Sequence, residues 1–241
     1  NRLFRSLPDP LLLMDMDIAA ARFADAVRKG ERVAIFGDYD VDGACSSALM
    51  RRFMHAHGRE AVIYIPDRIF EGYGPNAAAI EKLVKDGAQL IVTVDCGATS
   101  HEPLGVARRL GADVVVVDHH QMGEELPPAV AVVNPNRQDD LSGQGHLCAA
   151  GVTWLFLIAV TRDLRQSGWY SGKGAEPDLL GLLDLVALAT VCDVVPLTGV
   201  NRAFVTQGLK VMHRRQNAGL RALADAAALN SAPVLDRKSV V

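Results

Sequence analysis

Aromatic residues are scarce in this chain. Two Trp, four Tyr and seven Phe make up 5% of its 241 residues. A surface that grips nucleic acid by serial base stacking needs more of them, so strong DNA binding by this chain alone is not expected. Cysteine is scarce as well. Cys45, Cys96, Cys148 and Cys192 are scattered with no C-x-x-C spacing, which supports neither a zinc site nor a disulfide framework. The pattern fits buried thiols in a reducing compartment and predicts a cytoplasmic location. No apolar run is long enough for a membrane span. The longest stretch without charge lies in the 140s and 150s, and 147–161 falls short of a bilayer. Nothing at the amino end resembles a signal peptide, because Leu11 to Leu13 is a brief apolar run with acidic flanks. There is no internal repeat and no low-complexity tract. Positive charge is not in excess either: the net charge is −3, which argues against a general nucleic-acid coat protein.

What is present is a globular composition. Hydrophobic residues reach 49%, charged residues 22%, and mean hydropathy is +0.14. That suffices for one large core or two small ones. Val33 to Phe36, Ala61 to Ile65, Leu90 to Val94 and Val114 to Val117 are short β-branched runs without polar alternation, as expected of strands covered on both faces. Val130 to Val133 is a fifth, ended by Asn134-Pro135. Helices are predicted at Asp17 to Lys29, capped by Asp17, and at Gly43 to His57, Asn76 to Lys85 and Pro103 to Leu110. Gly30, Gly58, Gly87 and Gly111 each stand where a helix must stop before the next strand. The rhythm predicts an α/β fold: a doubly wound, mostly parallel five-stranded sheet flanked by helices. From about Leu147 the pattern becomes helical: Cys148 to Gln166, Pro177 to Val191, Asn201 to His213 and Gly219 to Leu229, with a Gly-rich loop at Ser167 to Glu176. The expected organisation is a sheet domain over 1–146, a helical layer over 147–230 and an irregular tail over 231–241.

Ligands of open α/β sheets bind outside the carboxyl ends of the strands. The sequence puts acids and imidazoles there three times: Asp38-Tyr39-Asp40-Val41-Asp42-Gly43, then Asp95-Cys96-Gly97, then Asp118-His119-His120. Parallel strands would bring these ends side by side, and so many carboxylates repel one another unless cations lie between them. Oxygen and nitrogen ligands suit Mn²⁺ or Mg²⁺ better than softer metals. The D-x-D-x-D-G run also resembles the start of an EF-hand loop, but a strand precedes it and Leu49 stands where the twelfth-position Glu belongs. Taken alone, an acidic turn also serves as a solvated loop, and Asp42 could simply cap the helix opened by Gly43. Asp95 alone could cap as well. The His pair is the stronger signal, since a place just past a strand end does not suit a core role. Asp193 follows an apolar helix stopped by Pro196. An acid there opposes the helix dipole, which points either to a distant partner such as a metal or to an exposed turn. Asp184, among leucines of the same helix, is read as structural. The six aspartates at 38, 40, 42, 95, 118 and 193 account for six negative charges, so the rest of the chain carries +3 and the mild acidity does not exclude a polyanionic substrate.

In this order the motifs resemble the DHH phosphoesterase superfamily, and within it the catalytic cores of its single-strand-specific 5′→3′ exonucleases. The likeness extends through Pro66-Asp67-Arg68, Glu71-Gly72-Tyr73-Gly74, Val133-Asn134-Pro135-Asn136, Leu147 to Val152, Leu183 to Ala187 and Cys192 to Leu197, up to about Leu229. It implies two Mn²⁺ or Mg²⁺ ions held by Asp38, Asp40, Asp42, Asp95, His119 and Asp193, with Asp95 as the bridge. It further implies that His120 contacts the scissile phosphate, that Asp118 orients the histidines, and that Arg68 contacts a substrate phosphate. The implied reaction is hydrolysis of single-stranded DNA to 5′-mononucleotides in DNA repair and recombination. Other members act on oligoribonucleotides, cyclic dinucleotides or pyrophosphate, and an inactive core is the remaining alternative. Two departures stand out. Some members carry a histidine two residues before the first aspartate, where this sequence has Phe36. The exonucleases also continue into a DHHA1 module and an oligonucleotide-binding barrel, through which a single-strand-binding protein or helicase could be met. Neither follows in this sequence, so a truncated or isolated core is expected.

Overall fold

A computed structural model describes residues 7–172 and 175–227. Five strands form one all-parallel sheet: β1 (Val33–Gly37), β2 (Ala61–Tyr64), β3 (Leu90–Val94), β4 (Asp113–Val117) and β5 (Ala131–Val133), in the order β2-β1-β3-β4-β5. The expected strands are present, and the sheet is wholly rather than mostly parallel. Eight helices are described: α1 (Met16–Lys29), α2 (Val41–Ala56), α3 (Ala77–Lys85), α4 (His101–Arg109), α5 (Ala149–Gln166), α6 (Leu183–Cys192), α7 (Gly199–Met212) and α8 (Ala218–Ala226). The expected tail at 231–241 and the end of the last expected helix lie outside the described residues. Among the described residues no helix is long and apolar enough to cross a membrane.

Side-chain alternation along the strands separates two cores. Val33, Ile35, Val92, Val94, Val115, Val117 and Val133 face α1, α2, α5 and α6. Ala34, Phe36, Ile91, Val114, Val116 and Val132 face α3 and α4. Both faces of β1 and β3 are therefore buried, which is why their sequences show no polar alternation. On the larger side three phenylalanines join three helices. Phe23 of α1 lies 5.4 Å edge-on from Phe156 of α5 and 6.2 Å from Phe53 of α2. Burying each ring contributes about 1.5–3 kcal/mol.

Two helix starts differ from expectation. Asp17 does not cap α1; the cap position is Asp15, in the left-handed region at φ 58°, with no side-chain capping bond. Its carboxylate is taken up elsewhere, accepting from the Val132 amide at 3.1 Å and the Arg137 guanidinium at 2.6 Å, so it ties α1 to β5. The helix expected from Pro177 begins later. Asp178 accepts from the Gly181 amide, a 3-10 turn occupies Leu180–Leu182, and α6 starts at Leu183.

α6 and α7 pack backbone to backbone. A Cβ on Gly208 would lie 2.1 Å from the Leu183 carbonyl oxygen and 2.4 Å from the Ala187 Cβ. Gly208→Ala must therefore push α7 off α6, at a cost of about 1–3 kcal/mol. Thermal denaturation should show that loss, whereas a matched alanine at exposed Gln216 should leave the midpoint almost unchanged.

Candidate metal centre

Register sets the geometry at the carboxyl edge of the sheet. Gly37 of β1 pairs with Val94 of β3, and Val94 with Val117 of β4. The next residues, Asp38, Asp95 and Asp118, therefore leave three neighbouring strands at the same level. The connection from β1 runs to β2 on one side while β3 lies on the other, so the crevice between β1 and β3 is the topological switch point, the usual ligand position in such sheets.

Each carboxylate is placed by identifiable contacts. Asp40, rather than Asp42, caps α2, accepting from the Gly43 amide at 2.9 Å. Gly43 must be glycine, because a Cβ there would meet the Asp38 backbone at 2.5 Å. Asp42 lies inside the first turn and is buried. Its oxygens accept from the Ala149 and Ala150 amides at 2.6 and 2.8 Å, the exposed donors at the start of α5. Asp95 sits at φ 61°, a region that costs a non-glycine residue about 1–3 kcal/mol. Asp193 closes α6, and the β-branched Val194 after it is also left-handed at φ 58°. Such outliers mark places where the surroundings dictate the backbone.

The two histidines are held differently. His119 Nδ1 lies 3.0 Å from the Leu147 carbonyl, which can only accept, so Nδ1 carries the proton and Nε2 presents a lone pair. That Nε2 faces Asp95 Oδ1 at 3.3 Å and oxygens of Asp42 and Asp193 at 3.8 Å each. His120 Nδ1 donates to Asp118 Oδ1 at 2.8 Å. Asp118 also accepts from the amides of Ala98, His119 and His120, which occupies its oxygens and makes it an anchor for the pair. The Tyr73 hydroxyl donates to the Asp95 carbonyl at 3.2 Å and lies 3.2 Å from His120 Nδ1.

Three sets of ligand atoms lie within 4.8 Å of one another: Asp38, Asp40 and Asp95; Asp95, His119 and His120; Asp42, His119 and Asp193. Asp38 Oδ1, Asp95 Oδ1, His119 Nε2 and Asp193 Oδ2 are buried with no hydrogen-bond partner. Leaving such acceptors unsatisfied is costly, and all four are lone pairs, which a cation satisfies and another acceptor cannot. Ionisation tells the same story. Burial pushes Asp38, Asp42, Asp95 and Asp193 above the usual carboxylate range, with repulsion from neighbouring carboxylates adding to it. Burial acts the same way on Asp118, but His120 and the amides outweigh it and hold its carboxyl low. The hydrogen bond to Asp118 raises His120. Burial raises the thiols of Cys45, Cys96 and Cys148, so the donor set is oxygen with imidazole and suits Mg²⁺ or Mn²⁺.

All eight acidic and imidazole positions singled out in the sequence thus meet at one place. Arg68 reaches its rim: the guanidinium lies 5.1 Å over the ring of Tyr39, between Asp38 and Asp40. Several participants were not assigned a role from sequence. Tyr73 was one. The Asn134 and Asn136 side chains donate to the carbonyls of His120 and His119, and the Leu147 carbonyl and the Ala149 and Ala150 amides also take part. Asn134-Pro135-Asn136 just past a strand end was the available signal for the asparagines; the backbone groups had none. Phe36, where some family members have histidine, points away into the α3 and α4 core and stacks on Tyr64 at 5.3 Å.

Comparison with known proteins agrees with this geometry. The chain is 41% identical over 228 residues to the single-stranded-DNA-specific exonuclease RecJ of Dickeya dadantii, covering 93% of this chain and 40% of that protein. To RecJ of Escherichia coli K12 it is 41% identical over 206 residues, 84% of this chain and 36% of the relative. The chain thus spans about 40% of the length of such relatives. Among solved structures, exonuclease RecJ bound to manganese superposes with a TM-score of 0.80 at 35% identity, over 95% of this chain and 55% of that one. RecJ of Thermus thermophilus in complex with Mn²⁺ gives 0.71 at 33%, over 89% and 30%. The description "DHH family, N-terminal domain" matches residues 32–190, and this chain belongs to that family.

Proposed function

We propose that this chain is the catalytic core of a 5′→3′ exonuclease that hydrolyses single-stranded DNA to 5′-mononucleotides with two divalent cations, Mn²⁺ or Mg²⁺. The observation that carries the reading is the convergence of three ligand sets, linked in series through Asp95 and His119, with four buried lone-pair atoms lacking partners. Substrate class and polarity rest on the RecJ relatives, and the metal choice on the donor set and on the manganese- and magnesium-bound RecJ structures. A cytoplasmic location accompanies this reading.

Asp38, Asp40, Asp42, Asp95, His119 and Asp193 would hold the cations, Asp95 being a member of two of the three sets. Bound there, the cations supply Lewis acidity toward water and toward phosphoryl oxygens. The protein's own groups do the rest. His119 is fixed in the tautomer that presents Nε2 by the Leu147 carbonyl. Asp118 favours the charged form of His120 and orients it, so that Nε2 can donate to a non-bridging oxygen of the scissile phosphate as charge grows there. Arg68, held over Tyr39, meets an adjacent phosphate. The direct test is digestion of a labelled single strand, its duplex and a dinucleotide by the full-length protein. Release of mononucleotides from the 5′ end of the single strand is expected; turnover of the dinucleotide alone would refute the exonuclease reading.

Asp118→Asn keeps the shape but removes the charge that raises His120. Activity should fall about 10- to 100-fold. The alkaline limb of the pH–rate profile should move to lower pH, because protonated His120 is then lost earlier; an unshifted limb would remove His120 from its role.

Metal linkage has a definite sign. Asp38, Asp42, Asp95 and Asp193 are raised in the folded state, so the folded chain binds more protons than the unfolded one above the ordinary carboxylate pKa of about 4. Their contribution to stability is fully present below that value and is lost as pH rises through the folded pKa values. Thermal melts of metal-free protein should therefore weaken between pH 5 and pH 8. Mn²⁺ at one fixed concentration, 100 times its Kd at pH 8, should restore about 2.7 kcal/mol at pH 8 and less at pH 5, where protons compete for the same carboxylates. Equal Mn²⁺ effects at both pH values would show that these carboxylates are not the ligands.

A further inference from the structure

Single exposed apolar side chains are ordinary on protein surfaces. Ile69 and Phe70 are not ordinary in their setting. They are 85% and 86% exposed at the tip of the turn between β2 and α3. Of the described phenylalanines, Phe70 alone is outside the core; Phe23, Phe36, Phe53, Phe156 and Phe204 are all buried.

The turn is held rigidly. Asp67 Oδ1 accepts from the Ile69 and Phe70 amides at 2.8 and 3.1 Å. The Glu71 amide donates back to the Asp67 carbonyl at 2.8 Å. The Glu71 carboxylate accepts from the Asp67 amide, the Tyr64 hydroxyl and the Asn76 side chain. The backbone under Phe70 is thus fixed before any ligand arrives, and little ordering remains to oppose binding. The same turn adjoins the metal centre on both flanks. Arg68, two residues before Phe70, stacks on Tyr39 between Asp38 and Asp40. Tyr73, three residues after Phe70, touches His120 and the Asp95 backbone.

We propose that Phe70, flanked by Ile69, is a stacking platform for one unpaired nucleobase of the strand whose phosphate lies at the metal centre, and that it contributes to the preference for single strands. This rests on the single-strand nuclease reading. The chemistry fits: a phenyl face takes any base, as a sequence-tolerant exonuclease requires, and it needs an open base face, which a stacked duplex does not offer. One well-placed platform is also consistent with a chain so poor in aromatics.

The test uses the full-length protein with Ca²⁺ replacing the catalytic metal for binding and Mn²⁺ for turnover. Single strands carry 2-aminopurine at successive positions from the 5′ end. In wild type, fluorescence should be quenched most at one position. Phe70→Ala should abolish that quench and raise both the Kd and the KM for single strands on the order of 10-fold. kcat should change much less, and Phe70→Trp should restore both quench and KM. The exposure of Phe70 means that the substitution removes no core packing. Digestion of single strands by wild type with an unchanged KM and quench in Phe70→Ala overturns this inference alone. A lowered melting temperature with unchanged Kd would mean that Phe70 packs on protein instead, and overturns it too. Failure of wild type to bind or digest single strands overturns the nuclease reading and this inference with it.

Discussion

Negative charge gathered at one edge of a parallel sheet is the constraint around which this molecule is built. Asp38, Asp42, Asp95 and Asp118 are all nearly or fully buried, with Asp40 and Asp193 beside them. Bringing them together without compensation would cost several kcal/mol per ion. The chain divides the burden. Asp118 and Asp42 are satisfied by the protein, the one by three backbone amides and His120, the other by the first two amides of α5. Asp38, Asp95 and Asp193 each keep a buried oxygen without a partner. Asp118 thus spends its charge on positioning the histidines, whereas Asp42 keeps a place in one candidate ligand set beside Asp193, and Asp38 and Asp95 share another.

The fold delivers this arrangement with little machinery. One reversal of strand order makes a crevice, and equal register at Gly37, Val94 and Val117 aligns three aspartates along it. Asp193 comes from much farther along the chain. It arrives because α6 lies against α2 and α5, while Gly208 lets α7 press onto the outer side of α6. A packing contact remote from the carboxylate cluster thereby sets the position of the Asp193 side chain.

The parallel sheet was legible because burial on both faces leaves a plain signature, as in Leu90 to Val94. The centre was legible because acids and imidazoles at three strand ends have few structural uses together. What escaped sequence reading depends on competition for hydrogen bonds. Asp17 looked like the cap of α1 and Asp42 like that of α2; Asp15 and Asp40 hold those positions instead. Asp42 was drawn off by α5, whose start lies over a hundred residues away. Pattern reading sees neighbours along the chain and cannot rank a local donor against one that only folding brings near. The Leu147 carbonyl that fixes His119 is invisible for the same reason, since a backbone group carries no residue identity.

The position of Asp42 has a structural consequence beyond chemistry. Its two oxygens hold the amides of Ala149 and Ala150, and Oδ2 also lies 3.8 Å from His119 Nε2. The start of α5, the ring that faces the carboxylates and the first turn of α2 therefore meet at one carboxylate. α5 is buried along most of its length, packing on both α1 and α2. A cation drawing on the lone pairs of Asp42 and His119 would act on the joint between that helix and the sheet, as well as on a substrate. On the proposed reading, metal binding and cohesion of the larger core would be two effects of one electrostatic contact, because the carboxylates and imidazoles sit on buried helix starts and strand ends instead of on a loop.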